Sequence, residues 1–251
     1  MSASGLAAVW ATENTREAIV AAMRRREVYA TSGPRIAVRT YGGLNLKKPP
    51  LSRRRFLRIQ SQAVPMGGEI IGAANEDRFS LIVEAQADPK SAYLDRIQII
   101  KGWIDASGQT HERVFDAAVS GEERWLADGS VIPVGSSVDL KTGMTANTIG
   151  SARLSVVWQD PEFDSKQSAF YYARVLQIPT ARHSLLDKLA LGMTASTPAG
   201  PIRFRSAPIR RRSGIGRLLV TRSRYTLAGP QEPASCWLAP ADSSRLLLAV
   251  R

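Results

Sequence analysis

Chemistry at a protein site needs a small set of groups, and this chain is sparing with them. It holds two histidines, His111 and His183, and one cysteine, Cys236. A hydrolytic metal centre takes several His and carboxylate ligands at short spacing, and these histidines stand far apart. The run Asp160-Pro161-Glu162-Phe163-Asp164 puts carboxylates at alternate positions, a donor set that suits a hard cation. Pro161 and Phe163 interrupt it and no turn-forming glycine follows, so it reads as an acidic turn. In Thr31-Ser32-Gly33, the glycine lets backbone amides approach an anion beside the Ser32 hydroxyl. The serine lacks the flanking glycines of a nucleophile elbow, so it carries no nucleophile assignment. Gly42-Gly43 and Gly67-Gly68 match no phosphate-loop pattern.

The element that carries Thr31 to Gly33 is a helix running into a strand. Asn14 is placed to cap the helix, with Glu17 three residues on to complete a capping box. Ile19, Ala22, Met23 and Arg26 share one face, a narrow apolar stripe. Arg24, Arg25 and Arg26 fall in the last turn, where positive charge suits the helix dipole. Val28-Tyr29-Ala30-Thr31 favours extended backbone and Ser32-Gly33-Pro34 breaks it. Val9 and Trp10, upstream, are expected to tuck against the helix.

Beyond the helix the pattern is β. Strands are predicted at Ala37–Tyr41, Phe56–Gln60, Phe79–Ala85, Leu94–Ile104, His111–Ala117, Ser136–Leu140, Ala152–Trp158 and Ala169–Ile178. Turn signals separate them at Gly42-Gly43, Pro65–Gly68, Asp88-Pro89, Asp105–Gly108 and Asp128-Gly129. Short strands at this spacing favour an antiparallel sandwich or curled sheet. Residues 184–191 form one short helix in this reading. From about Thr194 the sequence turns into Arg, Ser, Pro and Ala with poor periodicity.

Charge divides the same way. Residues 194–251 hold ten Arg, no Lys and two acids, a net of +8 out of the chain's +12. The high pI therefore belongs mainly to the tail and says little about the folded part. Arg53-Arg54-Arg55 lacks interleaved aromatics and reads as a solvated loop. One cysteine excludes an internal disulfide framework. No apolar run is long enough to cross a bilayer, and the first residues lack the basic and apolar segments of a signal peptide. The chain as written is expected in the cytoplasm.

Several runs resemble, in the same order, the bacterial domain of unknown function family 3604. They are Gly5–Ala11, Glu13–Ile19, Arg25–Ile36, Val64–Gly68, Leu94–Trp103, Trp158–Asp164 and Ala169–Arg182. The resemblance covers roughly residues 4–190. It implies kinship with metal-dependent hydrolases of the PHP (polymerase and histidinol phosphatase) type. Full-length members carry His-x-His and Asp-x-His metal motifs upstream of the segment seen here. A divalent metal is implied for those relatives, and no metal ligand of the family carries over to this chain.

The resulting expectation is an α+β chain. Residues 1–45 are a helix-strand remnant that closes a PHP-like barrel, and its single strand lacks neighbours once the barrel is gone. Residues 46–182 are a mostly antiparallel, β-sandwich-like domain. Residues 183–251 are an Arg-rich tail, disordered or read in a shifted frame. The chain is then the C-terminal fragment of a hydrolase, inactive by itself, whose partner is its own missing N-terminal half. In that setting Thr31, Ser32 and Arg35 are the candidate pocket-lining residues: hydroxyls and a guanidinium suit a phosphate or carboxylate. The competing reading is that they only fix the turn. Two alternatives from other classes remain open. One is a free-standing sandwich that binds carbohydrate or protein through Trp103, Trp125, Tyr171 or Tyr172. The other, the less favoured, is nucleic-acid binding through the basic tail. No membrane partner is expected.

Overall fold

The computed structural model describes residues 5–46, 63–192, 209–210, 213–220 and 246–250. In chain order its elements are β1 (Leu6–Ala11), α1 (Arg16–Arg24), β2 (Val28–Thr31), β3 (Ala37–Leu44), β4 (Val64–Pro65), β5 (Phe79–Gln86), β6 (Leu94–Ile104) and β7 (Thr110–Val119). A 3-10 turn at Glu122–Arg124 follows. Then come β8 (Arg153–Gln159), β9 (Ala169–Gln177), β10 (Thr180–Ala181), α2 (His183–Ala190), β11 (Ile209–Arg210), β12 (Ser213–Val220) and β13 (Leu246–Val250).

All strand pairs are antiparallel. One sheet has seven strands in the order β13-β1-β2-β12-β9-β6-β7, and a second has four in the order β4-β3-β5-β8. Alternation along β5, β6 and β9 explains why the two sheets meet. Phe79, Leu81, Val83 and Ala85 of β5 share one buried apolar cluster with Ile97 and Ile99 of β6 and Tyr171, Ala173 and Val175 of β9. Registers agree with this, pairing Ile97 with Val175 and Ile99 with Ala173. Each fully buried Leu or Ile of this cluster stabilises the fold by about 1.5–3 kcal/mol. The mostly β, sandwich-like architecture expected from turn spacing is what the molecule has.

The N-terminal unit differs from its expectation in several ways. Residues 6–11, to which the sequence assigned no element, form a strand, β1, and Val9 packs on the helix as expected. Thr15, not Asn14, is the N-cap: its Oγ1 accepts from the Ala18 amide at 3.3 Å. The capping box is therefore absent, because the residue three beyond Thr15 is Ala18. Ala22 is fully buried and packs with Val9 and Ala11, while Ala18, Ile19 and Val28 pack around them. Met23, placed on the same stripe by spacing, is 45% exposed. The helix ends in a Schellman-type turn. Arg26 takes a left-handed φ of 62°, its amide bonds Met23 O at 2.9 Å, and the Glu27 amide bonds Ala22 O at 3.0 Å. Gly67 backs this turn at φ 84°; a Cβ there would lie 2.5 Å from Arg26 O, so only glycine fits.

The strand after the helix does not lack neighbours. β2 pairs with β1 on one side and with β12 on the other. β12 in turn pairs with β9 from Ser213 opposite Leu176 to Val220 opposite Ala169. A segment of the Arg-rich tail is thus the strand that joins the N-terminal unit to the long sheet. β3 lies in the second sheet beside β5, so the boundary expected near residue 45 falls at the end of a strand paired into the later domain.

The β6–β7 hairpin, β5, β8 and β9 lie where they were predicted, and α2 covers the expected short helix. Ser136–Leu140 is not a strand. Asp139 instead ties a turn, accepting from the Lys141 amide at 2.8 Å and from Thr142 Oγ1 at 3.0 Å. Local side-chain to backbone bonding of this kind competes with a sheet ladder. The strand predicted at Phe56–Gln60 and the run Arg53-Arg54-Arg55 lie outside the described residues.

Beside β6, Arg124 holds the connection that follows β7. It is 8% exposed. Its Nη2 donates to Asp95 Oδ1 at 2.7 Å, its Nη1 to Ser120 O and Oγ, and its Nε to Ile132 O at 3.0 Å. Arg124→Met strips Asp95, itself fully buried, of its closest cation. The expected cost is about 3–5 kcal/mol, read as a fall in the denaturant midpoint. Deleting residues 206–251 removes β12. Amides of Val28–Thr31 should then lose protection in hydrogen exchange while those of β6 stay slow; unchanged β2 protection would contradict the pairing.

Candidate functional site

Thr31 ends β2, and Ser32 and Arg35 follow it in the turn that leads to β3. Thr31 is buried, and its Oγ1 accepts from the Gly33 amide at 3.4 Å. Ser32 is half-buried and Arg35 exposed. The Arg35 amide donates to Asp88 Oδ2 at 2.8 Å, which pins this turn to the one after β5.

A different group of residues lines a small open cleft, among them Trp10, Glu27, Arg39, Thr40, Tyr41 and Met66. Trp10 comes from β1 and Glu27 from the turn after α1, while Arg39, Thr40 and Tyr41 come from β3. The cleft therefore marks the seam between the N-terminal unit and the second sheet. The Trp10 indole donates to Val38 O at 2.9 Å, and the Arg39 guanidinium sits 3.9 Å above the Trp10 ring. Glu27, 3% exposed, accepts from Arg25 Nε at 3.0 Å. Thr40 Oγ1 is buried with no hydrogen-bond partner. Sequence reading passed over this group because its members are scattered singly through two strands and a turn.

The acids and histidines raised by the sequence lie in different places: His111 pairs with Asp105, and Asp160 and Glu162 share the surroundings of Lys101. His111 Nε2 contacts Asp105 Oδ2 at 2.7 Å, and its ring stacks on Trp103 at 5.2 Å between centroids. Hydrogen bonds from Ser107, His111 and Gln109 hold the Asp105 carboxyl well below the usual carboxylate range. His183 begins α2, with Nε2 buried and unpartnered. Glu162 is ion-paired with Arg113. Among the described residues no three of His, Cys, Asp and Glu are placed to hold a metal ion.

Asp160 belongs to the most enclosed polar cluster. It is 5% exposed, Lys101 2% and Tyr171 0%. Lys101 Nζ donates to Asp160 Oδ2 at 2.7 Å and to Glu162 O at 2.6 Å. Tyr171 Oη donates to the same Oδ2 at 2.5 Å, and the Glu162 amide donates to Asp160 Oδ1 at 2.9 Å. Phe79 packs on Tyr171 at 4.4 Å and on Phe163 at 6.0 Å, closing the cluster with rings. Of the aromatics considered for ligand stacking, Tyr171 is core, whereas Trp103, Trp125 and Tyr172 are half-buried.

Two phenols resist ionisation here. Burial pushes Tyr29, whose hydroxyl donates to Ile36 O at 2.9 Å, up to about 12. Burial and the Asp160 carboxylate push Tyr171 higher still. Both are raised in the folded state, so their contribution is whole below the ordinary phenol value of 10.0 and is lost as pH climbs beyond it. Stability should therefore decline from about pH 10 upward, with a shallower decline in Tyr29→Phe; denaturant midpoints across that range measure it.

No helix among the described residues is long and apolar enough to cross a membrane. No curated protein and no solved structure matches this sequence. A family model described as "Protein of unknown function (DUF3604)" matches residues 1–205. That match takes in both sheets up to β10, the cleft and the Lys101 cluster, and it stops short of β12; the chain belongs to the DUF3604 family.

Proposed function

We propose that the chain is the C-terminal, non-catalytic part of a PHP-type metal-dependent hydrolase. In this reading β1–α1–β2 is the segment that closes the hydrolase barrel, and the two sheets are an accessory domain beside it. The observation that carries the reading is a separation of cores. Val9, Ala11 and Ala22 form a small apolar cluster of their own, distinct from the main cluster between the sheets. A strand-helix-strand unit with its own buried face supports this, although its two strands pair antiparallel, and the cleft at Trp10 and Arg39 is the joint between the two parts. Family membership supports it through the runs that resemble the region following the metal motifs. The end of the family match at residue 205 is in keeping with a tail foreign to the family.

In this account the part in hand supplies shape, not turnover, and its substrate is that of the whole enzyme. Two measurements test it. Hydrolysis of generic phosphoesters by the purified chain with added divalent metals should show no metal-dependent turnover, and any such turnover overturns the proposal. Sequencing upstream of Met1 and across the codons near Met193 should reveal His-x-His motifs upstream and a frame change. An intact frame with neither sinks it.

A further inference from the structure

The Lys101 cluster holds an amine against a carboxyl group whose oxygens also receive a phenol and a backbone amide. A buried salt bridge needs an ammonium, a carboxylate and partners for the remaining lone pairs. Here one carboxyl oxygen, Asp160 Oδ2, receives both Lys101 Nζ and the Tyr171 hydroxyl, at 2.7 and 2.5 Å. The other, Oδ1, is held by the Glu162 amide at 2.9 Å, while Glu162 O takes a second hydrogen from Nζ at 2.6 Å. A primary amine lies against a carboxyl group. A phenol sits on one of its oxygens, and a backbone N–H sits on the other. These are the parts of an acyl transfer: nucleophile, acid for the departing oxygen, and a donor for the oxyanion.

We propose that Lys101 and Asp160 condense into an intramolecular isopeptide bond. Nζ first passes one proton to Oδ2 across their contact, leaving a neutral amine and a carboxylic acid. The Nζ lone pair then attacks Asp160 Cγ, forming the C–N bond and moving the carbonyl electron pair onto Oδ1, where the Glu162 amide meets it. The second proton shed by Nζ reaches the hydroxyl at Oδ2 through the Tyr171 hydroxyl, which takes one proton as it gives the other and so stays a neutral phenol; the electron pair on Oδ1 then re-forms the carbonyl as the C–O bond breaks and water leaves. The ammonium and the carboxylate become one amide and one water, with no oxidant or co-reactant. Enclosure favours this direction. Separated charges are disfavoured where Lys101 and Asp160 are 2% and 5% exposed, and fixed contact turns an otherwise bimolecular step into a local one. The bond would join β6 to the turn after β8, closing a covalent loop through both sheets.

Intact-mass spectrometry of the full chain, incubated folded, tests this directly. The expected mass is that of the translated sequence less one water, with a branched peptide linking the Lys101 and Asp160 segments after proteolysis. Lys101→Arg keeps the cation but not the nucleophile and should give the translated mass at an unchanged near-UV spectrum. Tyr171→Phe keeps the ring and should convert a smaller fraction in the same time. A wild-type mass equal to the translated sequence, or a loss of water without the branched peptide, overturns the proposal.

Discussion

Lys101 lies between the two sheets with its ammonium fully enclosed, and the arrangement around it follows from that. A charge placed there demands a counter-charge at contact distance, so the turn after β8 must bring Asp160 to it. Tyr171 must stand opposite Lys101 in the register of β6 and β9, as it does. One residue of slippage would turn Tyr171 to the outer face and leave both charges without their third partner. The same logic repeats at the other end of β6. There Asp95, fully buried, is shared by Arg124 and Arg96, and Arg96 reaches on to Asp116 of β7. The apolar cluster supplies the bulk of the cohesion, but these matched charges select the one register in which it can form.

How the N-terminal unit is attached is a separate matter, decided by main-chain bonding. β1 and β2 pair with each other, and β12 is the strand between β2 and β9. The sequence of β12, Ser-Gly-Ile-Gly-Arg-Leu-Leu-Val, opens with two glycines in four residues. Its ladder pairs Gly214 to Gly216 with β2 on one side and Ser213 to Val220 with β9 on the other. The family match covers β2 and β9 but ends before β12.

Much of the sandwich was legible because its strands alternate. Leu94–Ile104 and Ala169–Gln177 are rich in β-branched and aromatic residues, and Asp105 to Gly108 marks the hairpin turn between β6 and β7. β1 was not legible, because Leu-Ala-Ala-Val-Trp-Ala is too poor in β-branched residues to declare itself. The N-cap was misplaced by one residue because Asn14 and Thr15 are both good caps and only the backbone path chooses between them. The Lys101–Asp160 contact joins residues 59 apart, and the cleft joins Trp10 to Met66. No local pattern reports contacts of that kind. They emerge only when strand order is known, and that order depends on a segment whose composition looked unlike a strand.

β7 is the outermost strand on one side of the long sheet, so its far row of backbone groups has no partner within the seven-stranded order. Its sequence there, Thr-His-Glu-Arg-Val-Phe-Asp, sets charges of both signs along that border. A second copy laid against it antiparallel would have to desolvate Glu112, Arg113 and Asp116 to gain a ladder. Such a border resists zippering into fibres at high concentration, and Arg113 and Asp116 on it already serve the fold in ion pairs with Glu162 and Arg96.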